Sequence, residues 1–279
     1  MMPDKLGIIA GGGGLPRHLA EKCRLERRPV FLVLLEEQAD VGLANDFPSA
    51  LLRIGAAGKI VKTMKSQKVV DLVFAGHVLK PTYTQLRPDL WSTSFLLKNK
   101  VFNSGDNRLL SALIKALEDE GFNVVGADDL DPNLLCEEAC ITKYSPNSAF
   151  IKDINTGISA AMDLGSKDIG QAVVCSGGEI IAREDRSGTD ALLAKLPSSQ
   201  SFGGVLIKCA KPGQERRVDL PSIGPDTITA LSRAGLSGIA VSAGEALVLE
   251  RAKTIAAADS AGIFIIGVNT SYLNQSIHE

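Results

Sequence analysis

A length of 279 residues exceeds one ordinary domain and points to two, each able to bury a sizeable core. Hydrophobic residues at 45% and charged residues at 22% exclude a disordered or fibrous chain. Thirty basic against thirty-two acidic residues leave a net charge of -2, which with aromatics at 5% excludes a basic nucleic-acid binder or a stacking platform for single strands.

Leu6 to Ala10 is a short apolar run that breaks into four glycines, and Leu15 to Arg27 follows with helical periodicity. Val30 to Leu35 reads as a second buried strand, Ala50 to Ile54 as a third and Gly58 to Ser66 as a short helix. Val69 to Ala75 is a further strand closed by glycine, and a polar, proline-marked loop then runs from His77 to Asp89. Helices are expected at Ser92 to Phe102 and at Asn107 to Glu120, with Gly121 ending the second, and Phe122 to Val125 is a last short strand. Strands alternating with helices predict parallel βαβ units and a doubly wound sheet. Between Gly126 and Ser145 the pattern loosens into acidic, proline-containing sequence, so domains are expected over residues 1–130 and 140–279. The second opens with a helix at Ser148 to Leu164, followed by two strands within Ala172 to Ala182 that turn at Ser176-Gly177-Gly178. Helix 188–196, strand Gly204 to Cys209, helix 225–234, strands 238–242 and Ala246 to Leu249, helix 251–261 and strand Ile263 to Gly267 complete a mixed α/β unit.

No apolar run approaches the roughly 20 residues of a membrane span. The opening MMPDKLGIIAGGGG lacks a long apolar stretch before a small-residue cleavage site, so no signal peptide and a cytoplasmic location are expected. The five cysteines, Cys23, Cys136, Cys140, Cys175 and Cys209, are odd in number and scattered, which fits that compartment. Cys136 and Cys140, at i and i+4, would share one face of a helix. Two thiolates cannot complete a zinc site, and none of His18, His77 and His278 is spaced to join them. The cysteines are therefore expected as small buried apolar side chains.

Three turns in the first half can carry chemistry. Gly11-Gly12-Gly13-Gly14-Leu15-Pro16 lies between a strand and a helix, where backbone N–H groups and the helix dipole attract phosphate. Pro16 stands where the dinucleotide fingerprint wants its third glycine, yet Glu36 and Glu37 end the second strand where an acid would hold a ribose. An NAD(P)-binding oxidoreductase therefore stays open, as does a plain tight turn. Phe74-Ala75-Gly76-His77 closes another parallel strand, where His77 either contacts ligand or caps the loop. Ser104-Gly105-Asp106-Asn107 precedes a helix, and Asp106 is either a ligand contact or an N-cap.

The second half has the densest polar sequence. Arg186-Ser187-Gly188-Thr189-Asp190 opens one helix, and KCAKPGQERRVD runs from Lys208 to Asp219 before Gly224-Pro225-Asp226 opens another. Lys208, Lys211, Arg216 and Arg217 supply cations, and Glu215, Asp219 and Asp226 supply carboxylates. Metal-assisted phosphoryl transfer needs both: carboxylates hold Mg²⁺ through oxygen, and cations neutralise charge growing on phosphate. A solvated charged loop is the alternative, and for Asp226 a helix-dipole partner. Neither a G-x-S-x-G elbow nor a P-loop ending in Gly-Lys-Ser/Thr is present.

The ordered set Ile9-Ala-Gly-Gly-Gly-x-Leu-Pro16, Phe74-Ala-Gly-x-Val78, Gly105-Asp-x-x-Leu-Leu110, Asp168-Ile-Gly-Gln-Ala172, Gly188-Thr-Asp190 and Lys211-Pro-x-Gln-x-x-Arg-Val-Asp-Leu-Pro-x-Ile-Gly224 resembles the LpxI-type UDP-2,3-diacylglucosamine pyrophosphatases. The resemblance runs in the same order from Leu6 to Val268. It implies a Rossmann-like N-terminal domain, a C-terminal catalytic α/β domain and an active site between them. The implied reaction, in lipid A biosynthesis, is Mg²⁺-dependent attack of water on the α-phosphorus of UDP-2,3-diacylglucosamine, giving UMP and 2,3-diacylglucosamine 1-phosphate (lipid X). Carried over by position, substrate contacts fall on Gly11, Gly12, Gly13, Leu15, Gly76, His77, Asp106, Thr189, Lys208, Lys211 and Gln214. Catalysis and metal binding fall on Asp226, Asp219 and Asp190, and Asp226 matches the aspartate whose loss abolishes turnover in the family. His77 and Lys80 depart from the Asn or Arg that the family often has there. The resemblance further implies a lipid product, peripheral contact with the cytoplasmic face of the inner membrane and a homodimer. A non-catalytic module sensing UDP ligands is the remaining alternative.

Overall fold

The computed structural model describes residues 3–79, 86–99, 106–196 and 203–270. Lys80, Ser104, Gly105 and His278 lie outside them. The chain divides into two compact units, Met1–Pro132 with Glu215–Asp219, and Asn133–Gln214 with Leu220–Glu279. Both are α/β.

The first unit runs β1 (Leu6–Ala10), α1 (Leu15–Leu25), β2 (Val30–Leu35), β3 (Ser49–Leu52), α2 (Ala57–Ser66), β4 (Asp71–Ala75), α3 (Leu90–Lys98), α4 (Asp106–Asp119), β5 (Asn123–Val124) and α5 (Ala127–Leu130). Its sheet has the order β3-β2-β1-β4-β5 with every pair parallel. The apolar runs LGIIA and VFLVLL form the centre because parallel strands are covered on both faces, and all five residues of β1 are buried. Ile9, Val33 and Leu35 pack with Ile60, Val61 and Met64 of α2 and with Ile114 and Leu117 of α4. Gly7 lets α2 approach: a Cβ there would stand 2.7 Å from Val69 Cγ1 and 2.9 Å from Met64 Sδ. α1 stops at Leu25, two residues earlier than its periodicity predicts, because Arg27 turns to φ 56°. Gly121, at φ 95°, closes the turn after α4 as expected of a C-cap glycine.

The second unit contains α6 (Ser148–Ser166), β6 (Ala172–Ser176), β7 (Glu179–Arg183), α7 (Thr189–Ala194), β8 (Val205–Lys208), β9 (Ser222–Ile223), α8 (Pro225–Arg233), β10 (Gly238–Ser242), β11 (Leu247–Val248), α9 (Arg251–Ala261) and β12 (Phe264–Val268). Its main sheet is mixed, in the order β12-β10-β8-β6-β7, with β12, β10 and β8 parallel and β6 and β7 antiparallel to their neighbours. The β6–β7 hairpin turns at Gly177 and Gly178, both at positive φ, as two-residue hairpins require. The strand expected at Ala246 to Leu249 stands apart from this sheet: β11 pairs in parallel with β9 in a ladder of its own.

The segment holding Cys136 and Cys140 is not helical, which corrects the expectation of a shared helical face. Its backbone is engaged as an added edge: Cys136 N–H donates to Ala246 O, Ile141 N–H to Ile265 O and Gly267 N–H to Ala139 O. That tertiary pairing overrides the local spacing. Cys23, Cys136, Cys175 and Cys209 are buried, as expected, and Cys140 is half-buried. Among the described residues no helix is long and apolar enough to cross a membrane.

Candidate functional site

In the first unit the strand order reverses at β1 and β4, and ligands of doubly wound sheets bind beyond the carboxyl ends of such strands. Those ends carry Gly11 to Leu15 and Gly76-His77, and the backbone ties the two loops together. Gly12 N–H donates to His77 O at 2.8 Å, His77 N–H returns to Gly12 O at 3.1 Å, and Gly11 N–H donates to Ala75 O at 2.8 Å. The glycines answer to this closeness. A Cβ at Gly12 would lie 2.6 Å from the His77 ring, and one at Gly76 (φ 90°) would fall closer than 3.0 Å to the Gly12 carbonyl oxygen.

Two of the turn amides expected to face phosphate thus serve the backbone. Gly13, Gly14 and Leu15 supply the remaining N–H groups ahead of α1, and Pro16 has none. Of the two roles foreseen for the exposed His77, the loop closure is seen in its backbone bridge to Gly12, and its ring lies over Gly12 and Gly13. Asp106 opens α4, but its side chain lies outside the described residues. On α1, His18 Nε2 lies 2.7 Å from Oδ2 of the buried Asp131.

In the second unit strand register builds the site. Ala172 pairs with Lys208 and Val173 with Arg183, so the start of β6 and the ends of β7 and β8 share one edge. The carboxyl ends of β10 and β12 lie there too. Asp168, Gln171, Glu184, Lys208 and Lys211 gather at this edge. Lys208 Nζ donates to Ser222 O at 3.1 Å, linking β8 to β9 just ahead of α8. Lys211 Nζ pairs with Asp168 Oδ1 at 2.9 Å, and Lys211 N–H donates to Gln214 Oε1 at 2.9 Å. Gln214 Nε2 and Gln171 Oε1 are buried with no hydrogen-bond partner among the described residues.

Thr189 opens α7, and its hydroxyl donates to Glu184 Oε1 at 2.9 Å. Glu184 is 5% exposed and accepts the N–H of Gln171 on its other oxygen at 2.5 Å. The turn between them is fixed by Asp185, which accepts from Ser187 N–H at 2.8 Å and Lys195 Nζ at 2.9 Å. The bond from the Ser187 hydroxyl, with these partners, holds the Asp185 carboxyl well below the usual carboxylate range. Asp190 follows Thr189 and is exposed.

Asp226 sits in the first turn of α8, also exposed. It is not the cap: Thr227 Oγ1 accepts the Gly224 N–H at 3.2 Å, which leaves the Asp226 carboxylate to solvent.

Glu215–Asp219 folds with the first unit, and this revises the reading of its charges. Arg217 forks onto Glu215 at 2.8 and 2.9 Å and reaches Glu118 at 2.6 Å. Asn107 Oδ1 accepts the Glu215 N–H at 3.1 Å, Arg216 lies 3.5 Å from Asp128, and Val218 joins the first core. The Arg217 fork lowers the Glu215 carboxyl. Arg216, Arg217 and Glu215, expected to serve phosphoryl transfer, are therefore anchors of the segment. Asp219, half-buried, is positioned by that anchoring. Among the described residues no three acidic, histidine or cysteine side chains cluster to hold a metal, so Asp190, Asp219 and Asp226 do not form a ready-made cage.

Glu184 was missed by sequence reasoning although a signal exists. In Glu179 to Glu184 the more buried positions recur at every second residue, Ile180, Ala182 and Glu184, and a buried carboxylate demands partners.

The LpxI N-terminal domain matches residues 5–134, and the LpxI C-terminal domain matches residues 137–266. The chain belongs to the LpxI family. UDP-2,3-diacylglucosamine pyrophosphatase LpxI of Caulobacter vibrioides is 39% identical over 274 residues, which span 95% of this chain and 98% of the relative. The ordered motifs of this LpxI-family chain thus sit in a matched pair of domains, one with a parallel sheet and one with a mixed sheet.

Proposed function

We propose that the protein hydrolyses the pyrophosphate bond of UDP-2,3-diacylglucosamine to UMP and 2,3-diacylglucosamine 1-phosphate (lipid X), a step of lipid A biosynthesis. The observation that carries this reading is the similarity to the Caulobacter pyrophosphatase over nearly the full length of both chains. In the reaction, a water oxygen bonds to the α-phosphorus and the bond from that phosphorus to the bridging oxygen breaks. The bridging oxygen leaves on the lipid phosphate, and the water's protons pass to solvent or a nearby base.

The roles fall on groups with suitable chemistry. Lys208 and Lys211 set positive charge at the sheet edge, where phosphate oxygens gain charge as the bond breaks. Lys211 is steadied by Asp168 and its loop by Gln214. Thr189 contacts substrate, and the exposed carboxylate of Asp226 orients the attacking water. Gly13 and Leu15 bring N–H groups, and Gly11, Gly12, Gly76 and His77 shape the turn that receives the nucleotide. The engaged amides of Gly11 and Gly12 weigh against the oxidoreductase reading, in which the turn would give its N–H groups to a dinucleotide pyrophosphate.

Magnesium fits this donor set. It keeps several waters and commonly takes one or two carboxylates together with substrate phosphate oxygens, so a closed cage is not needed. Asp226 and Asp190, exposed acids in the first turns of α8 and α7, would hold it. When bound, the ion would neutralise charge on the phosphate oxygens. A diacylated substrate also favours peripheral contact with the cytoplasmic face of the inner membrane.

The test is turnover of UDP-2,3-diacylglucosamine with Mg²⁺ in ¹⁸O-labelled water. UMP carrying one ¹⁸O is expected. Label in the lipid phosphate would move the attack to the β-phosphorus, and folded protein that releases no UMP would refute the reaction.

A further inference from the structure

We infer that Glu184 sets the hydrogen-bond polarity of Thr189, making its hydroxyl an acceptor toward the substrate, so that Thr189 receives a neutral N–H or O–H donor rather than touching a phosphate oxygen. This rests on the reading above in which Thr189 contacts substrate.

A threonine hydroxyl has one proton and two lone pairs. The proton of Thr189 points at Glu184 Oε1, 2.9 Å away. Glu184 cannot turn elsewhere, because its other oxygen accepts the Gln171 N–H and its backbone N–H donates to Ala172 O at 2.9 Å. At 5% exposure it has no solvent to replace either partner, and losing the Thr189 proton would leave a buried carboxylate oxygen unsatisfied. What Thr189 has left to offer is therefore lone pairs. Phosphate oxygens are acceptors as well and would be repelled. A diacylated UDP-sugar has several matching donors: sugar and ribose hydroxyls, the acyl-amide N–H and the uracil N–H. Binding one of them is a choice between ligands, because a ligand lacking the donor strands the Thr189 oxygen.

Glu184→Gln tests this directly. The Gln171 N–H still needs an acceptor, so the amide oxygen must face it and the amide NH₂ must face Thr189. The hydroxyl then accepts from residue 184 and donates outward, which reverses its polarity without changing shape. Affinity for UDP-2,3-diacylglucosamine is read as Kd by calorimetry and as KM from UMP release, with thermal unfolding as a control. Thr189→Val and Glu184→Gln should each weaken Kd and KM about tenfold, the scale of one hydrogen bond to a buried partner, with kcat within about twofold. Thr189→Ser should restore binding. The double variant should be no worse than Thr189→Val alone, since Glu184 acts through that hydroxyl.

An unchanged Kd in Glu184→Gln beside a weakened Thr189→Val overturns the polarity claim alone. A full further loss when Glu184→Gln is added to Thr189→Val also overturns it, since Glu184 would then act elsewhere. An unchanged Thr189→Val removes Thr189 from the site and the claim with it. If wild-type protein binds substrate but releases no UMP, the proposed reaction fails while the Kd comparison still judges the polarity. Should Glu184→Gln not fold, the Thr189 hydroxyl proton decides by NMR in wild-type protein. Contact with Glu184 retained in the complex supports the claim, and rotation toward the ligand refutes it.

Discussion

Gly76 is where the two loops of the first unit meet most closely, and its replacement by alanine gives a quantitative test of that geometry. Gly121 provides the reference, because its φ of 95° nearly equals the 90° of Gly76 while a Cβ there meets nothing within 4 Å. Left-handed backbone costs a residue with a Cβ about 1–2 kcal/mol, and alanine regains about 0.4–1 kcal/mol by restricting the unfolded chain. Gly121→Ala should therefore cost about 1 kcal/mol or less. At Gly76 the new carbon also falls closer than 3.0 Å to the carbonyl oxygen of Gly12 and reaches the Gly11 backbone, neither of which is the end of a flexible side chain. Relief requires the bridged loops to part, adding about 1–3 kcal/mol. The total of about 1–4 kcal/mol corresponds to a melting temperature lower by roughly 4–16 °C, at about 4 °C per kcal/mol for a domain of this size. Urea and thermal unfolding of both variants supply the comparison. Equal destabilisation would refute the inference that the Gly12–His77 bridge holds these loops in contact.

Arg217→Ala should loosen the Glu215–Asp219 segment and cost only about 1 kcal/mol, since this network is partly solvent-screened. Hydrogen exchange should rise at 215–219 and leave β8 protected; unchanged exchange there would mean that Asn107, Arg216 and Val218 suffice to anchor the segment. Burial raises the thiols of Cys136 and Cys175 from an ordinary 9.0 to about 11, and that of Cys209 to about 12. These thiols stay protonated in the folded protein while the unfolded chain releases its protons, so stability should be intact below pH 9 and fall as pH rises toward 11–12. Urea midpoints across that range should decline, and Cys175→Ala should flatten part of the decline. A thiol among these three that iodoacetamide labels rapidly at pH 8 in folded protein would contradict the assignment.

What was legible in the sequence follows from physical scale. Five or six apolar residues in a row, such as Leu6 to Ala10 and Val30 to Leu35, have few homes other than the centre of a covered parallel sheet. Paired glycines after Ser176 specify a hairpin because both central residues need positive φ. The β9–β11 ladder was not legible, since two-residue strands carry no period. Nor was the return of Glu215–Asp219 to the first core, where Val218 is one apolar side chain inside a charged run. Cys136 and Cys140 misled because spacing reports local periodicity, while the backbone of that segment answers to Ala246 and to the edge of β12. For the candidate site, ordered motifs named Thr189, Lys211 and Gln214, while the charged run and the start of α8 named Lys208 and Asp226. The pairing register, which no motif shows, explains why Asp168, Gln171 and Glu184 accompany the lysines. Glu184 was within reach, because buried positions recur at every second residue from Ile180 up to it.

UMP release from UDP-2,3-diacylglucosamine by Asp226→Ala is the deciding measurement of that residue's part in the reaction. Thr227, not Asp226, accepts the Gly224 N–H ahead of α8, and the exposed carboxylate of Asp226 adds only about 0.3–1 kcal/mol through the helix dipole. An interaction that matters as charge develops on phosphorus is lost from kcat rather than from binding. The variant should therefore fold, melt within a few degrees of wild type, bind substrate and turn it over about a hundredfold more slowly or worse. Release of UMP at the normal rate, with only a lowered melting temperature, would reduce Asp226 to a helix-dipole partner and contradict the account.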